Sequence, residues 1–447
     1  VIAYLMQPPS PDQRPGQNDS RQESVRLSAP HNGRRRERNH EQAEAEALRE
    51  AQAAIPHDPL ICREDPILVT TAQGLARTVE HLQRSGLFGF DTEFIGEQSY
   101  FPHLCLIQAA TTEKVFVIDA MARNLDLAPF WELVTDPSIE KVVHAGLQDL
   151  EPATRYTGKP PANIFDTQIA GAFAGFTYPV GLARLVTSLV SIDLGKGLKF
   201  SQWDRRPLSQ VQIRYAASDV RFLIYLRKKI QSLIDEAGNG EASVEECNTL
   251  CDSSLYGFDP QVQYQRVRGA ASLRPRELAV LRELVVWRDE KARYHDMPPR
   301  TLLADPILVA LARNPILDGM ELTNMPGMPR PVAHQHADEL IKAMQLGLDV
   351  PEKKLPAQMR VKESSVEKEA IAALWQTLEE TARAKKIDPA MICSRAELSE
   401  TCRQLARGTM PTSSRLFTGW RAKIAGPVIR QALMAPAPKA TETDPKS

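Results

Sequence analysis

From Pro59 onward the chain alternates between short apolar runs and stretches with three- and four-residue periodicity. Strands send successive side chains to opposite faces, whereas helices repeat about every 3.6 residues, so these textures separate into elements. Ile67-Leu68-Val69 reads as a short strand. Ala72–Ser85 reads as a helix with apolar Leu75, Val79 and Leu82, stopped by Gly86. Strands are expected over Leu87–Phe94, Leu104–Ala110 and Val115–Asp119, with Thr111-Thr112-Glu113-Lys114 as a hairpin connection. A helix near Leu127–Val134 leads to a strand at Lys141–His144, and Gly146 opens another helix. Ile164-Phe165 runs into Asp166, after which Gln168–Phe176, Leu182–Val190 and one long stretch, Ser209–Ile234, read as helices. Consecutive strands followed by strands alternating with helices imply a mixed sheet covered by helices.

Beyond that point the pattern becomes helical. Residues 238–266 read as a polar linker. Leu273–Tyr294, Asp305–Ala312 and His334–Leu346 form an all-helical unit over 267–350, with a turn at Met325–Met328. A second linker, 351–365, holds Lys353, Lys354 and Pro356; a second helical unit spans 366–434, and 435–447 is a polar tail. Residues 1–58 carry Pro, Gln, Asn, Glu and Arg with too little apolar surface to offset ordering, so a disordered tail is expected. Its Arg34-Arg35-Arg36 cluster reads as a solvated charge run.

Composition narrows the class. In 447 residues, 43% hydrophobic and 25% charged content describes a globular protein of more than one domain. A formal net charge of -1 says little about partners, because opposite local charges cancel. Six cysteines at irregular spacings argue for a reducing compartment, and Cys247/Cys251 lack the second pair a zinc site needs. No apolar run reaches the roughly 18–20 residues of a membrane span, and the opening Val1–Met6 is too short for a signal-peptide core. A cytoplasmic protein without membrane association is expected.

The candidate chemistry lies in carboxylates. On a strand, Asp91 and Glu93 point the same way, either into solvent at a strand end or toward a cation that offsets their repulsion. Asp149 falls in the first turn of the helix after Gly146, where it could cap that helix or project over the sheet edge. Tyr215 and Asp219 share a helix face across small residues; a core tyrosine beside a surface acid is the plain alternative. Taken together, four acids and a phenol on elements able to converge form a set that hard divalent cations would bind.

These motifs resemble the tyrosine-bearing branch of the DEDD exonuclease superfamily, which has a ribonuclease H-like fold, and within it the ribonuclease D family. The matching text is Phe90-Asp91-Thr92-Glu93-Phe94, Tyr100-Phe101-Pro102, Leu106-Ile107-Gln108, His144-Ala145-Gly146 through Glu151, Asp166-Thr167-Gln168, Arg206-Pro207-Leu208 and Tyr215 through Val220. The helical units are similar to helicase-and-RNase-D C-terminal (HRDC) domains. The resemblance implies an α/β ribonuclease H-like exonuclease domain over 59–237 followed by two all-α HRDC-like domains. It implies that Asp91, Glu93, Asp149 and Asp219 hold two divalent ions, Mg²⁺ or Mn²⁺, and that Tyr215 orients the attacking water. The expected substrate is RNA with a free 3′ end, tRNA precursors among them, released as nucleoside 5′-monophosphates. Tyr100, Phe101, Gln108, His144, Trp203 and Arg206 are weaker candidates for substrate contact. The family usually shows aspartate where Gln202 stands, which leaves that loop's role open. The basic residues of the first helical unit, and Arg415, Trp420, Arg421 and Lys423 of the second, read as an RNA path. The rival readings are a DNA exonuclease of the same superfamily and a non-catalytic RNA-binding scaffold.

Overall fold

A nine-residue strand, β2 (Leu87–Ile95), runs through the middle of a six-stranded sheet ordered β1-β4-β3-β2-β5-β6. The other strands are β1 (Ile67–Val69), β3 (His103–Ala110), β4 (Val115–Asp119), β5 (Glu140–Val143) and β6 (Ile164–Asp166). Strands β2, β3 and β4 form an antiparallel meander, while β1, β5 and β6 pair in parallel. The sheet is therefore mixed, as the element pattern implied. The computed structural model describes residues 55–96, 98–194, 202–359, 365–409, 411 and 414–434; the Arg34–Arg36 cluster and Lys199–Ser201 lie outside them.

Helices cover both faces. On one face, α1 (Ala72–Ser85), α2 (Ala128–Thr135) and α3 (Leu147–Thr157) pack on Phe88 and Phe90, with Phe130 and Trp131 fully buried among them. Thr71 caps α1 by accepting the Gly74 N–H, and Gly86 ends it at φ +67°. The opposite face carries α4 (Thr167–Gly171), α5 (Leu182–Val190), α6 (Gln210–Arg221) and α7 (Leu223–Ala237).

Two helices differ from the periodicity. The Gln168–Phe176 stretch leaves the helix after Gly171 in tight turns, with Phe176 N–H bonding back to Gly171 O and Gly175 at φ +91°. Ser209–Ile234 is broken at Phe222, so α6 and α7 follow the sheet separately. The break seats Leu223 on bare backbone: a Cβ on Gly89 would lie 2.8 Å from that of Leu223. Periodicity continues through such a bend and cannot reveal it.

The 238–266 segment, expected as a polar connector, contains a helix, α8 (Gly240–Asn248), with buried Ala242 and Cys247. Beyond it, α9 (Pro275–Tyr294), α10 (Asp305–Arg313) and α11 (Arg330–Leu348) enclose a core of their own. Gly347 is required where α11 crosses α9, because a Cβ there would sit 2.4 Å from Val280 Cα. The last unit comprises α12 (Ser365–Ala384), α13 (Arg395–Ala406) and α14 (Gly419–Met434). It shares one apolar core with the α4–α7 face of the sheet rather than standing alone.

That docking revises the reading of the terminal basic residues. Trp420 and Arg421 are 2% and 6% exposed. The Trp420 indole donates to Glu246 at 3.1 Å, and Arg421 pairs with the same carboxylate at 2.7 Å. Lys423 pairs with Glu241 at 2.6 Å and Arg415 with Glu397 at 3.1 Å. These charges are spent on α8 and within the unit, which removes Trp420 and Arg421 from any RNA path.

Candidate active site

Strand β2 outruns its neighbour. Its pairing with β5 stops at Gly89↔Val142, while its ladder with β3 continues to Ile95↔His103 past a register shift at Glu93/Phe94. Among the described residues, the second half of β2 thus has one edge free of strand pairing, and α3 begins just after β5. Asp91 and Glu93 face the side on which Leu106 and Ala110 meet α6, as alternation along a strand requires. Helix α6 lies close there because Ala216 and Ala217 are fully buried. It brings Asp219 over β2, so that carboxylate oxygens of Asp91, Glu93 and Asp219 lie within 4.8 Å of one another.

Asp149 arrives from the other face. Leu150 and Ala153 anchor α3 in the core that contains Phe88 and Phe90. Thr92, which alternates onto that face, donates its hydroxyl to the Asp149 carboxylate. Thr92 reads in the sequence only as the residue pointing away from the two acids. Its position between them on a half-free strand is the signal that could have identified it.

The electrostatics follow from this crowding. Burial, followed by the charges of Asp149, Asp219 and Glu93, holds the Asp91 carboxyl well above its usual range. Glu93 is pushed up to about 8 by burial and then by Asp219 and Asp149. Burial raises Asp219 to about 7 against the Tyr215 hydrogen bond, and Asp149 to about 6 against the Thr92 hydroxyl. Burial and the neighbouring acids, Asp219 first among them, raise the Tyr215 phenol, which stays protonated beside Asp219. Four carboxylates so placed resist common ionisation unless positive charge joins them. Hard oxygen donors gathered this closely fit divalent cations of the Mg²⁺ and Mn²⁺ type.

Comparison with known proteins decides the family. A 3′-5′ exonuclease family model matches residues 66–235, and an HRDC domain model matches residues 277–344. The ribonuclease D of Gluconacetobacter diazotrophicus is 34% identical over 364 residues, covering 81% of this chain and 91% of that protein. The ribonuclease D of Granulibacter bethesdensis matches at the same identity and coverage. This chain belongs to the ribonuclease D family. It is a metal-dependent 3′-5′ exoribonuclease of the DEDD superfamily. Among solved structures, Escherichia coli RNase D, described as an exoribonuclease involved in structured RNA processing, superposes with a TM-score of 0.71 at 27% identity, covering 83% of this chain and 99% of that one. A Bifidobacterium adolescentis protein shares the fold at 21% identity and a TM-score of 0.58.

The remaining residues of the ribonuclease D resemblance take varied positions. The Trp203 ring, 5% exposed, lies 6.2 Å from that of Tyr215 and backs it. Arg206 is fully engaged with Asp119 (2.7 and 2.5 Å), Cys105 O and Trp203 O, so it pins the Trp203 loop. His144 contacts the Thr167 hydroxyl through Nδ1 at 2.9 Å, and burial lowers its pKa. Asp166 caps α4 by accepting the Gln168 and Ile169 N–H groups. Gln108 is fully buried opposite Asp91 in the ladder.

Tyr100 faces the first helical unit. Its hydroxyl donates to Asp289 at 2.7 Å and accepts from Arg293 at 3.0 Å, and its N–H reaches Asp296 at 3.1 Å. Between that unit and the sheet domain lies a cleft of about 930 Å³, where Phe101, Glu151 and Arg155 face Arg266, Arg293 and Arg300. Replacing Tyr100 by Phe keeps the ring and removes its hydroxyl bonds, leaving the buried Asp289 short of a donor. Tyr100→Phe is expected to lower the melting temperature by about 2–4 °C, roughly one hydrogen bond's worth. It should also raise KM for a long RNA severalfold while a trinucleotide is cleaved as before; an equal effect on both lengths would count against the cleft as a substrate path.

Proposed function

We propose that Asp91, Glu93, Asp149 and Asp219 hold two divalent cations, Mg²⁺ or Mn²⁺, and that Tyr215 aims the attacking water. The reaction releases nucleoside 5′-monophosphates one at a time from the 3′ ends of RNA, tRNA precursors and other structured RNAs among them, in the cytoplasm. The observation that carries this reading is the gathering of Asp91 and Glu93 from β2 and Asp219 from α6, with carboxylate oxygens within 4.8 Å of one another, and of Asp149 from α3 close enough for its charge to raise Asp91 and Glu93. When bound, such cations neutralise charge that builds on the scissile phosphate and on the departing 3′ oxygen. Asp91 feels all three other acids, so it would contribute to holding the cations at the centre of the set. The phenol of Tyr215, beside Asp219 and backed by Trp203, can direct a water by hydrogen bonding without acting as a strong base.

For this reaction the catalytic unit is 59–237, and the HRDC domain of 267–350 guides the strand. Much of that domain's basic surface is internally paired: Arg288 with Asp305 at 2.7 Å, Lys291 with Glu339 at 2.8 Å, Arg274 with Glu277 at 2.5 Å. At the cleft, Arg266 has no ion pair among the described residues and is the better candidate for phosphate contact, while Arg155 and Arg300 share theirs with Glu151 at 3.6 Å and Asp305 at 3.2 Å; a cleft read through backbone charge suits broad tolerance of sequence.

The test is incubation with a 3′-extended tRNA and a matched DNA oligomer, each with Mg²⁺ and with EDTA. Stepwise release of 5′-monophosphates from the RNA alone, abolished by EDTA, is expected. Equal degradation of the DNA would favour the DNA exonuclease; RNA binding without release in Mg²⁺ would favour the scaffold.

A further inference from the structure

Gln108 is a polar residue set in an apolar run, His103–Ala110, and is 0% exposed. Around it on the same face of the sheet are Leu106, Ala110 and Val117, and Ala216, Ala217 and Val220 of α6 cover that face. Neither its Oε1 nor its Nε2 has a hydrogen-bond partner among the described residues. A primary amide in that condition weakens a fold, whereas leucine fills nearly the same volume without an unsatisfied group. Packing alone therefore does not account for glutamine here. Its register does: Gln108 stands directly opposite Asp91, and residues facing each other in an antiparallel ladder project side by side, with Cα atoms roughly 4.5–5.5 Å apart.

We propose that Gln108 is a positioning residue for Asp91. Its amide N–H, which bonds no described residue directly, reaches the inner side of the Asp91 carboxylate through one buried water and thereby fixes which oxygens Asp91 turns toward the cations. A neutral donor is the suitable group at this place. Glutamate would add another negative charge to four, and lysine would supply a positive charge competing with the cations. Groups that orient a ligand from behind commonly govern metal affinity by about 10- to 100-fold. The role rests on the assignment of Asp91 as a cation ligand, and the experiment separates the two.

Mn²⁺ is titrated into wild-type protein, Gln108→Leu and Gln108→Met, all stripped of metal, and the rise in melting temperature gives an apparent affinity. Steady-state kinetics on a short RNA and RNA binding in EDTA are measured on the same samples. Both variants are expected to melt, metal-free, at or above wild type, to bind Mn²⁺ about tenfold or more weakly, and to lose kcat with RNA binding unchanged. An Mn²⁺ affinity within twofold of wild type in either folded variant overturns the role of Gln108. So does failure of both to fold, which would make the amide a requirement of the core. A wild type whose melting ignores Mn²⁺ would instead refute Asp91 as a ligand.

Discussion

Asp91→Asn and Asp219→Asn are each expected to reduce nucleotide release by about a thousandfold or more while changing RNA affinity by no more than about twofold. The reasoning is local. Each asparagine preserves shape but removes one of the charges that would hold the cations, from a set whose oxygens lie within 4.8 Å of each other. The cleft that would grip RNA, with Arg155, Arg266 and Arg300, is untouched by either change. A second effect runs opposite to the loss of activity. Burial and neighbouring acids disfavour ionisation of Asp91 and Asp219, so the metal-free variants should melt above the metal-free wild type. Activity of either variant within tenfold of wild type would remove the site.

Metal-free protein should lose stability as pH rises from about 5 to about 8.5, by about 5 °C or more in melting temperature, and saturating Mn²⁺ should abolish the fall. In an unfolded chain these carboxyls release protons near their usual 3.8 and 4.5, whereas in the fold Asp149 retains its proton to about 6, Asp219 to about 7 and Glu93 to about 8. Between those limits the folded state binds more protons than the unfolded state, so raising the pH favours unfolding. Below about pH 4 both states are protonated and the penalty vanishes. His81 and His144 act in the other sense: burial lowers each from 6.5, so they add stability as pH rises through that value. Comparing wild type with Asp91→Asn in EDTA across the range isolates the carboxylates, since the histidines are common to both. A melting temperature that stays flat or rises with pH in wild type, with the same profile in Asp91→Asn, would contradict the crowded cluster.

Sequence alone determined the local faces. Alternation put Asp91 and Glu93 on one side of a strand, the four-residue interval put Tyr215 and Asp219 on one side of a helix, and Gly146 marked where α3 begins. Those inferences need only the geometry of one element, which a few neighbouring residues specify. Tertiary structure decided everything that depends on partners far apart in the chain. Thr92 holds Asp149 across 57 positions, Tyr100 meets Asp289 across 189, and Arg421 meets Glu246 across 175. Periodicity is blind to such pairs because their energy depends on where whole elements dock, not on the residues beside them. For the same reason Trp420 and Arg421 read as part of an RNA path, and Gln108 as a weaker candidate for substrate contact, until packing buried the first pair against α8 and set the last beside Asp91.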